Sequence, residues 1–334
     1  MFRAIRVSQA VDAPKYTARV DLVTDFDESS LGSADSAGDV LVDVTHSSIN
    51  FKDGLALTGR PGVVRSPNLI AGIDLVGTVT SSGSSDFTPG DRVLVNGWGL
   101  GEDHHGGLSE RARVKSEWLV PVPSALTNAQ AAAIGTAGFT AMLSVLALEK
   151  HGVEGEVLVT GASGGVGSIA IALLAKLGYS VTASTGKESE HDYLRSLGAT
   201  TIIDRGSLGD DLGKPLQSQR FGGVVDSVGS TTLANALAQV NYGGLVTTAG
   251  LAQGPELAGT VMPFILRAVT LQGINSVYCP MPLRLEAWNR LGTDLDTDLL
   301  DSLTSTVPLD GAIAAAERIM AGSIRGRTVV DVRH

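Results

Sequence analysis

The sequence predicts an α/β protein in two parts, a mainly antiparallel β domain followed by a doubly wound parallel sheet flanked by helices. Three observations lead there. Residues 1 to about 124 are short β-like runs cut by Gly, Pro, Ser and Asp, with few long amphipathic helices. From residue 125 onward apolar strands alternate with helices, the texture of a parallel sheet with helical crossovers. Within that texture, EVLVTGASGGVGSIAIALLAKLGY (156–179) reads as an apolar strand, a glycine-rich turn and a long helix.

Taken in order, DVLVDVTHSSIN, LIAGIDLVGTV, DRVLVNG and RARVKSEWLVPVP are the strands of the first part, and FTPGDRV is a turn between two of them. TNAQAAAIGTAGFTAMLSVLALEKHG opens the second part as a helix. Strands are expected at 157–161, 180–184, 200–203, 223–227, 244–249 and 270–275, with helices at 166–178, 188–197 and 231–240 among others. The tail, DGAIAAAERIMAGSIRGRTVVDV, is a helix and then a lone strand without a place in the parallel sheet, so it is expected to return to the first domain. The expected division is 1–124, completed by 304–334, and 125–303.

Composition bounds the function. The chain has 334 residues, 43% of them hydrophobic, enough for two ordinary cores. A formal charge of −10 disfavours nucleic acid and anionic membranes as partners. One cysteine, Cys279, excludes an internal disulfide framework and a multi-cysteine zinc site. No unbroken apolar run reaches the eighteen or so residues a membrane span needs. The start, MFRAIRVSQAVDAP, lacks a signal peptide's apolar run. The expectation is a cytoplasmic protein with no membrane partner.

Ala162, Gly164 and Gly167 form A-x-G-x-x-G directly after a strand and at the opening of a helix. Glycine permits the tight turn and the close approach of backbone to a pyrophosphate, and the helix start offers free N–H groups. The alternative is a glycine-rich turn without a ligand; the βα units that follow favour a dinucleotide. Enzymes that prefer NAD place an acid about 20 residues further on. Here Ser184, Thr185, Gly186 and Lys187 stand there instead, with Arg205 just past the next strand. Hydroxyls and cations suit a 2′-phosphate, so NADPH is the expected cofactor, although either cation alone is an ordinary surface charge.

SSINFKDGLALTGR, LIAGIDLVGTV, GTAGFTAML, TGASGGVG, NYGGLVTTAGLA, MPFILRAVTLQGINSVYCP and IRGRTVV together resemble the medium-chain dehydrogenase/reductase superfamily over essentially the full chain. They are most similar to its zinc-free, quinone-oxidoreductase-like group and, within that, to the bacterial acrylyl-CoA reductase family. The resemblance implies a GroES-like β domain completed by the C-terminus, a Rossmann domain, and an active-site cleft between them. Zinc-dependent members of the superfamily bind metal at positions that match Asn50, Ile73 and Ala137, none of them a normal zinc ligand. The adjacent His104 and His105 have no third ligand at a recognisable spacing, so no metal is expected. The reaction implied is reduction of the C=C bond of acrylyl-CoA, or another short 2-enoyl-CoA, by hydride transfer from NADPH. A quinone or enal reductase is the alternative, and an NADPH-binding sensor with little turnover is another.

Carried over by position, Phe51 stands where Tyr is common near the nicotinamide. Gly165 with Val166, Gly167, Ser168 and Ile169 correspond to pyrophosphate contacts, and Leu251, Ile265 and Ser276 to the nicotinamide half. Gly322 replaces an Asn whose side chain touches cofactor in relatives. Asn50 and Asp53 are the catalytic candidates, Asn50 as donor to an enolate oxygen and Asp53 as orienter of Lys52 or water. Both residue types also cap helix starts, which is the plain alternative here. Lys52, Arg60, Arg284 and Arg325 are candidate cations for CoA phosphates. VTLQGINSV suits an exposed sheet edge, so a homodimer is expected. Cys279 beside it reads as a small buried apolar residue.

Overall fold

A computed structural model describes residues 1–9, 18–34 and 38–334. The chain forms two compact units: Met1–Thr136 with Ser276–Glu286 and Leu300–His334, and Ala137–Asn275 with Ala287–Leu299. The change of unit thus falls inside a helix, about a dozen residues beyond the composition boundary at 124.

Along the first unit run β1 (Phe2–Gln9), β2 (Ala18–Phe26), β3 (Val40–Ser48), helix α1 (Phe51–Leu57), β4 (Leu69–Ile70), β5 (Asp74–Ser82), β6 (Arg92–Asn96), β7 (Arg111–Val114) and β8 (Val120–Pro121). β2, β1 and β4 make a three-stranded antiparallel sheet. β3 pairs antiparallel with β5 and with β7, and β5 continues through β6 to β8. Val40, Val42 and Val44 of β3 alternate inward onto Leu75, Val79, Val93 and Val95, as a strand with one apolar face must. The long helix α2 (Asn128–His151) follows. By length and composition α2 is apolar enough to cross a membrane, which the unbroken-run count missed. Gly135 interrupts it at φ 48°, ψ −158°, and 83% of its apolar window is buried, as in a core helix.

The second unit is a βα succession: β9 (Glu156–Val159), α3 (Gly165–Lys176), β10 (Ser180–Thr185), α4 (His191–Ser196), β11 (Thr201–Asp204), β12 (Phe221–Asp226), α5 (Ser230–Ala238), β13 (Val240–Thr248), α6 (Met262–Arg267) and β14 (Thr270–Gly273). All six strands are parallel, in the order β11-β10-β9-β12-β13-β14. The order reverses between β9 and β12, the switch point at which open α/β sheets bind ligands beyond their strand ends. β12 is buried along its whole length, as the centre of a doubly covered sheet requires.

After α7 (Met281–Asp294) the chain adds β15 (Thr304–Pro308), α8 (Ala312–Met320) and β16 (Arg327–Asp331) to the first unit. β16 lies antiparallel to β3, with Val329 opposite Ser48 and Asp331 opposite His46. The tail from residue 310 is thus a helix and one strand, as expected, and just before it an unexpected β15 runs parallel to β16 at the sheet edge. Its largely exposed TSTVP lacks the apolar alternation that marks a half-buried strand.

Candidate active site

In the second unit, β9 ends at Val159 and the chain turns into α3 through an extended N-cap, Gly164. The first N–H groups of α3 are free of helical partners, as at any helix start. A Cβ on Gly167 would collide with the Gly161 carbonyl oxygen and lie 2.7 Å from Ala162 Cα, so only glycine lets helix and turn approach this closely. The resulting cradle, its open side formed by the exposed Gly164 and half-buried Gly165 and Val166, fits an anionic diphosphate. Ser168 and Ile169, grouped with the ligand contacts from sequence, point their side chains inward and are fully buried. Ser168 Oγ accepts from the Tyr193 hydroxyl at 2.8 Å and donates to the Ala162 carbonyl at 3.4 Å, which anchors the helix.

β10 and β11 end side by side, with Thr185 opposite Asp204. Thr185 Oγ1 accepts the Lys187 backbone N–H at 3.2 Å, and the Thr185 carbonyl accepts that of Arg205 at 3.0 Å. Arg205 lies along Gly186, where a Cβ would come within 2.5 Å of its Nε. Two exposed cations, Lys187 and Arg205, therefore stand at adjoining strand ends, while Ser184 and Thr185 are buried.

Sequence reasoning missed Asp226, the last residue of β12. It is fully buried and accepts from Thr160 Oγ1 at 2.7 Å, Thr248 Oγ1 at 3.1 Å and the Gly229 N–H at 3.0 Å. One carboxyl thus ties the ends of β9, β12 and β13 at the switch point. Burial raises its pKa, opposed by these hydrogen bonds.

In the first unit the centre is Asp74, the first residue of β5, which sequence analysis also missed. Its carboxylate accepts from Ser48 Oγ at 2.5 Å, Asn50 Nδ2 at 2.8 Å, Asn96 Nδ2 at 2.6 Å and Thr136 Oγ1 at 2.6 Å. The Thr136 backbone N–H reaches both oxygens, at 2.9 and 3.0 Å, because the break at Gly135 frees it from the helix. Arg327 of β16 completes the group: Nη2 donates to Ser48 Oγ at 2.9 Å and lies 4.0 Å from Asp74 Oδ2, and Nε donates to the Ala133 carbonyl at 2.5 Å. Burial lowers the Arg327 pKa, and Asp74 and Asp53 oppose that shift.

Asp53 lies in the same buried group. Oδ2 accepts the Asn50 N–H at 2.9 Å and Oδ1 the Ile73 N–H at 3.0 Å, so the carboxyl pins the α1 start to the residue before β5. Burial, and secondly the charge of Asp74, push its pKa from 3.8 to about 7. Asn50 Nδ2 also lies 3.2 Å from Asp53 Oδ2, so both amide hydrogens face carboxylates and neither is free for an enolate oxygen. The helix-cap alternative describes this pair better than the donor role expected from sequence.

Phe51 begins α1 and is 46% exposed. In the second unit Leu251 and Ile265 are exposed; in the first, Ser276 is half-buried and Gly322 follows α8 at φ 65°. Of the expected CoA cations, Arg284 is 0% exposed and its guanidinium is spent on backbone carbonyls, which removes it from that role. Lys52 is paired with Glu102 at 2.6 Å, and Arg65 with the same carboxylate at 3.0 Å. Arg60 and Arg325 are exposed. His104 Nε2 meets the Arg113 carbonyl at 2.9 Å and His105 Nδ1 accepts the Ile70 N–H at 3.1 Å. Asn50, Ile73 and Ala137 present an amide, a branched alkyl chain and a methyl group, a donor set unsuited to zinc.

Two family models match these units. Residues 36–124 match the alcohol dehydrogenase GroES-like domain, and residues 165–289 match the zinc-binding dehydrogenase domain, in its fold though not in the donor set. The chain is therefore a medium-chain dehydrogenase/reductase. It is 50% identical to the probable acrylyl-CoA reductase AcuI of Escherichia coli, covering 93% of this chain and 95% of the relative. It is 46% identical to the acrylyl-CoA reductase AcuI of Ruegeria pomeroyi, covering 93% and 98%. The YhdH oxidoreductase of Salmonella enterica, solved in complex with NADP, superposes with a TM-score of 0.94 at 47% identity over 99% of both chains. Within the superfamily, the chain belongs to the acrylyl-CoA reductase family.

Proposed function

We propose that the protein reduces the C=C bond of acrylyl-CoA, or another short 2-enoyl-CoA, to the saturated acyl-CoA with NADPH. The observation that carries this is the glycine cradle of Gly164–Gly167 with the cations Lys187 and Arg205 at the adjoining strand ends, in a chain 46% identical to an acrylyl-CoA reductase. When bound, NADPH supplies the hydride that adds to the β-carbon of the unsaturated thioester, and the α-carbon takes a proton.

Every other part is the work of this chain's residues. The second unit is the cofactor domain: the turn backbone at Gly164–Val166 holds the pyrophosphate, and Lys187 and Arg205 hold the 2′-phosphate. The first unit, with its C-terminal strands, is the catalytic domain, and Phe51 packs against the nicotinamide. Asn50 and Asp53 act by position: their bonds to each other, to Ile73 and to Asp74 fix the backbone that presents Phe51. The polypeptide is read as a cytoplasmic homodimer joined through the β14 edge, whose residues are mostly exposed.

The test is NADPH oxidation by the purified protein with acrylyl-CoA, crotonyl-CoA, acrolein and a benzoquinone, each repeated with NADH. Saturable turnover of acrylyl-CoA with NADPH is expected. Turnover of quinone or acrolein alone, or NADPH binding with no turnover at all, would contradict the reading.

A further inference from the structure

Arg284, at the start of α7, has no place in the reading above, yet it is completely buried. Nη1 donates to the Asn96 carbonyl at 2.9 Å, and Nη2 to the carbonyls of Ser276 and Val277 at 3.0 and 3.2 Å. Its guanidinium lies 5.0 Å from the centre of the Trp98 ring. Burial lowers its pKa to about 10, so it stays charged at neutral pH. Burying a guanidinium is costly unless hydrogen bonds and an aromatic face replace its water. Here both do, and they join two segments, Asn96–Trp98 and Ser276–Tyr278.

Those segments are unusually constrained. Trp98 adopts φ 55°, a left-handed conformation rare for a bulky side chain, between Gly97 and Gly99 in the same region. Its N–H donates to the Val277 carbonyl at 3.2 Å, and a Cβ on Gly97 would lie 2.7 Å from Val277 Cα. The Trp98 ring stacks on Trp118 with an interplanar angle of 3° and meets Tyr278 edge-on at 6.1 Å. Tyr278 is 59% exposed. The outcome is a ledge of rings, open at Tyr278 and resting on a buried cation. Backbone strain persists where its surroundings over-determine it, and it concentrates at functional sites.

We propose that Arg284 is a positioning residue, and that the ledge it holds, Trp98 with Tyr278, receives the uncharged, amide-bearing arm of an acyl thioester. This rests on the acyl-CoA reading. Ring faces and edges take up alkyl chains and flat amide groups, and the charge behind Trp98 selects against a cationic ligand. Arg284 acts through the two loops and does not touch the ligand.

The test is a titration of propanoyl-CoA, without NADPH, followed by tryptophan fluorescence and then by KM and kcat for acrylyl-CoA. Tyr278→Ala is expected to weaken propanoyl-CoA binding about tenfold. NADPH affinity should stay within about twofold in Tyr278→Ala, because its phosphate contacts at Gly164–Val166, Lys187 and Arg205 belong to the second unit and Tyr278 to the first. Arg284→Lys keeps the charge but loses the three-carbonyl fork; it should raise KM for acrylyl-CoA about tenfold or more, with a much smaller change in kcat. Equal propanoyl-CoA affinity in wild type and Tyr278→Ala would overturn the ledge. Parallel loss of NADPH and propanoyl-CoA binding in Arg284→Lys would overturn the positioning role. If Arg284→Lys does not fold, the Tyr278→Ala comparison decides. A wild-type protein that binds NADPH but no propanoyl-CoA would instead sink the acyl-CoA reading, and the ledge with it.

Discussion

Asp74 and its partners show how one side chain organises a unit. It joins β3, β5, β6 and α2 just past its break through buried hydrogen bonds, and faces Arg327 of β16 at 4.0 Å. Sequence reading singled out Asp53 but passed over Asp74, because partners at 48, 96, 136 and 327 leave no local spacing to notice. Asp53 makes a pH prediction. Its pKa is about 7 in the fold against 3.8 ordinarily, so between these values the folded state holds a proton that the unfolded chain has released. Stability should therefore fall as pH rises from about 4 to about 7. Urea unfolding across that range should show this decline in wild type and a flatter profile in Asp53→Asn. At the cofactor end, Lys187→Ala with Arg205→Ala should raise KM for NADPH about 10–100-fold and leave NADH nearly unchanged, since each lost contact is a charge-assisted hydrogen bond.

Elements were the most legible level. Strand–turn–helix order around A-x-G-x-x-G put α3 within two residues of its observed limits, because period, glycines and helix opening all agree there. β15 was missed because a short, mostly exposed edge strand carries no apolar alternation. The break in α2 was missed for a different reason: Gly135 is one glycine in an apolar run, and only the fold shows what it faces. A Cβ there would collide with Asp74 Oδ2 and lie 2.8 Å from Ser48 Oγ and 2.9 Å from Arg327 Nη2, at φ 48°. Gly135→Ala should lower the unfolding free energy by about 2–5 kcal/mol in urea titration, combining left-handed strain with overpacking. The Asn50–Asp53 start of α1 was legible as a cap, and the structure adds that the cap is joined to Asp74.

At the scale of the molecule, the fold class and the family were both readable, since they rest on long runs such as SINFKDGLALTG and on the change of texture along the chain. The candidate site was readable only in part. The glycine turn and its cations are local in sequence, whereas Asp226, Asp74 and Arg284 act through partners far along the chain. A homodimer predicts a light-scattering mass about twice the 34.4 kDa of one chain. Gln272→Lys on the exposed β14 edge should return it to one chain, because a charge opposes edge pairing.

The central claim is that the hydride of NADPH adds to the β-carbon of an enoyl thioester while the α-carbon takes a proton. The most direct measurement uses NADPH carrying deuterium at the transferable position, with acrylyl-CoA, and locates the label in the product by NMR. The account predicts propanoyl-CoA labelled at the β-carbon, with an unlabelled proton added at the α-carbon. Label at the α-carbon, or a saturated product without label, would contradict it.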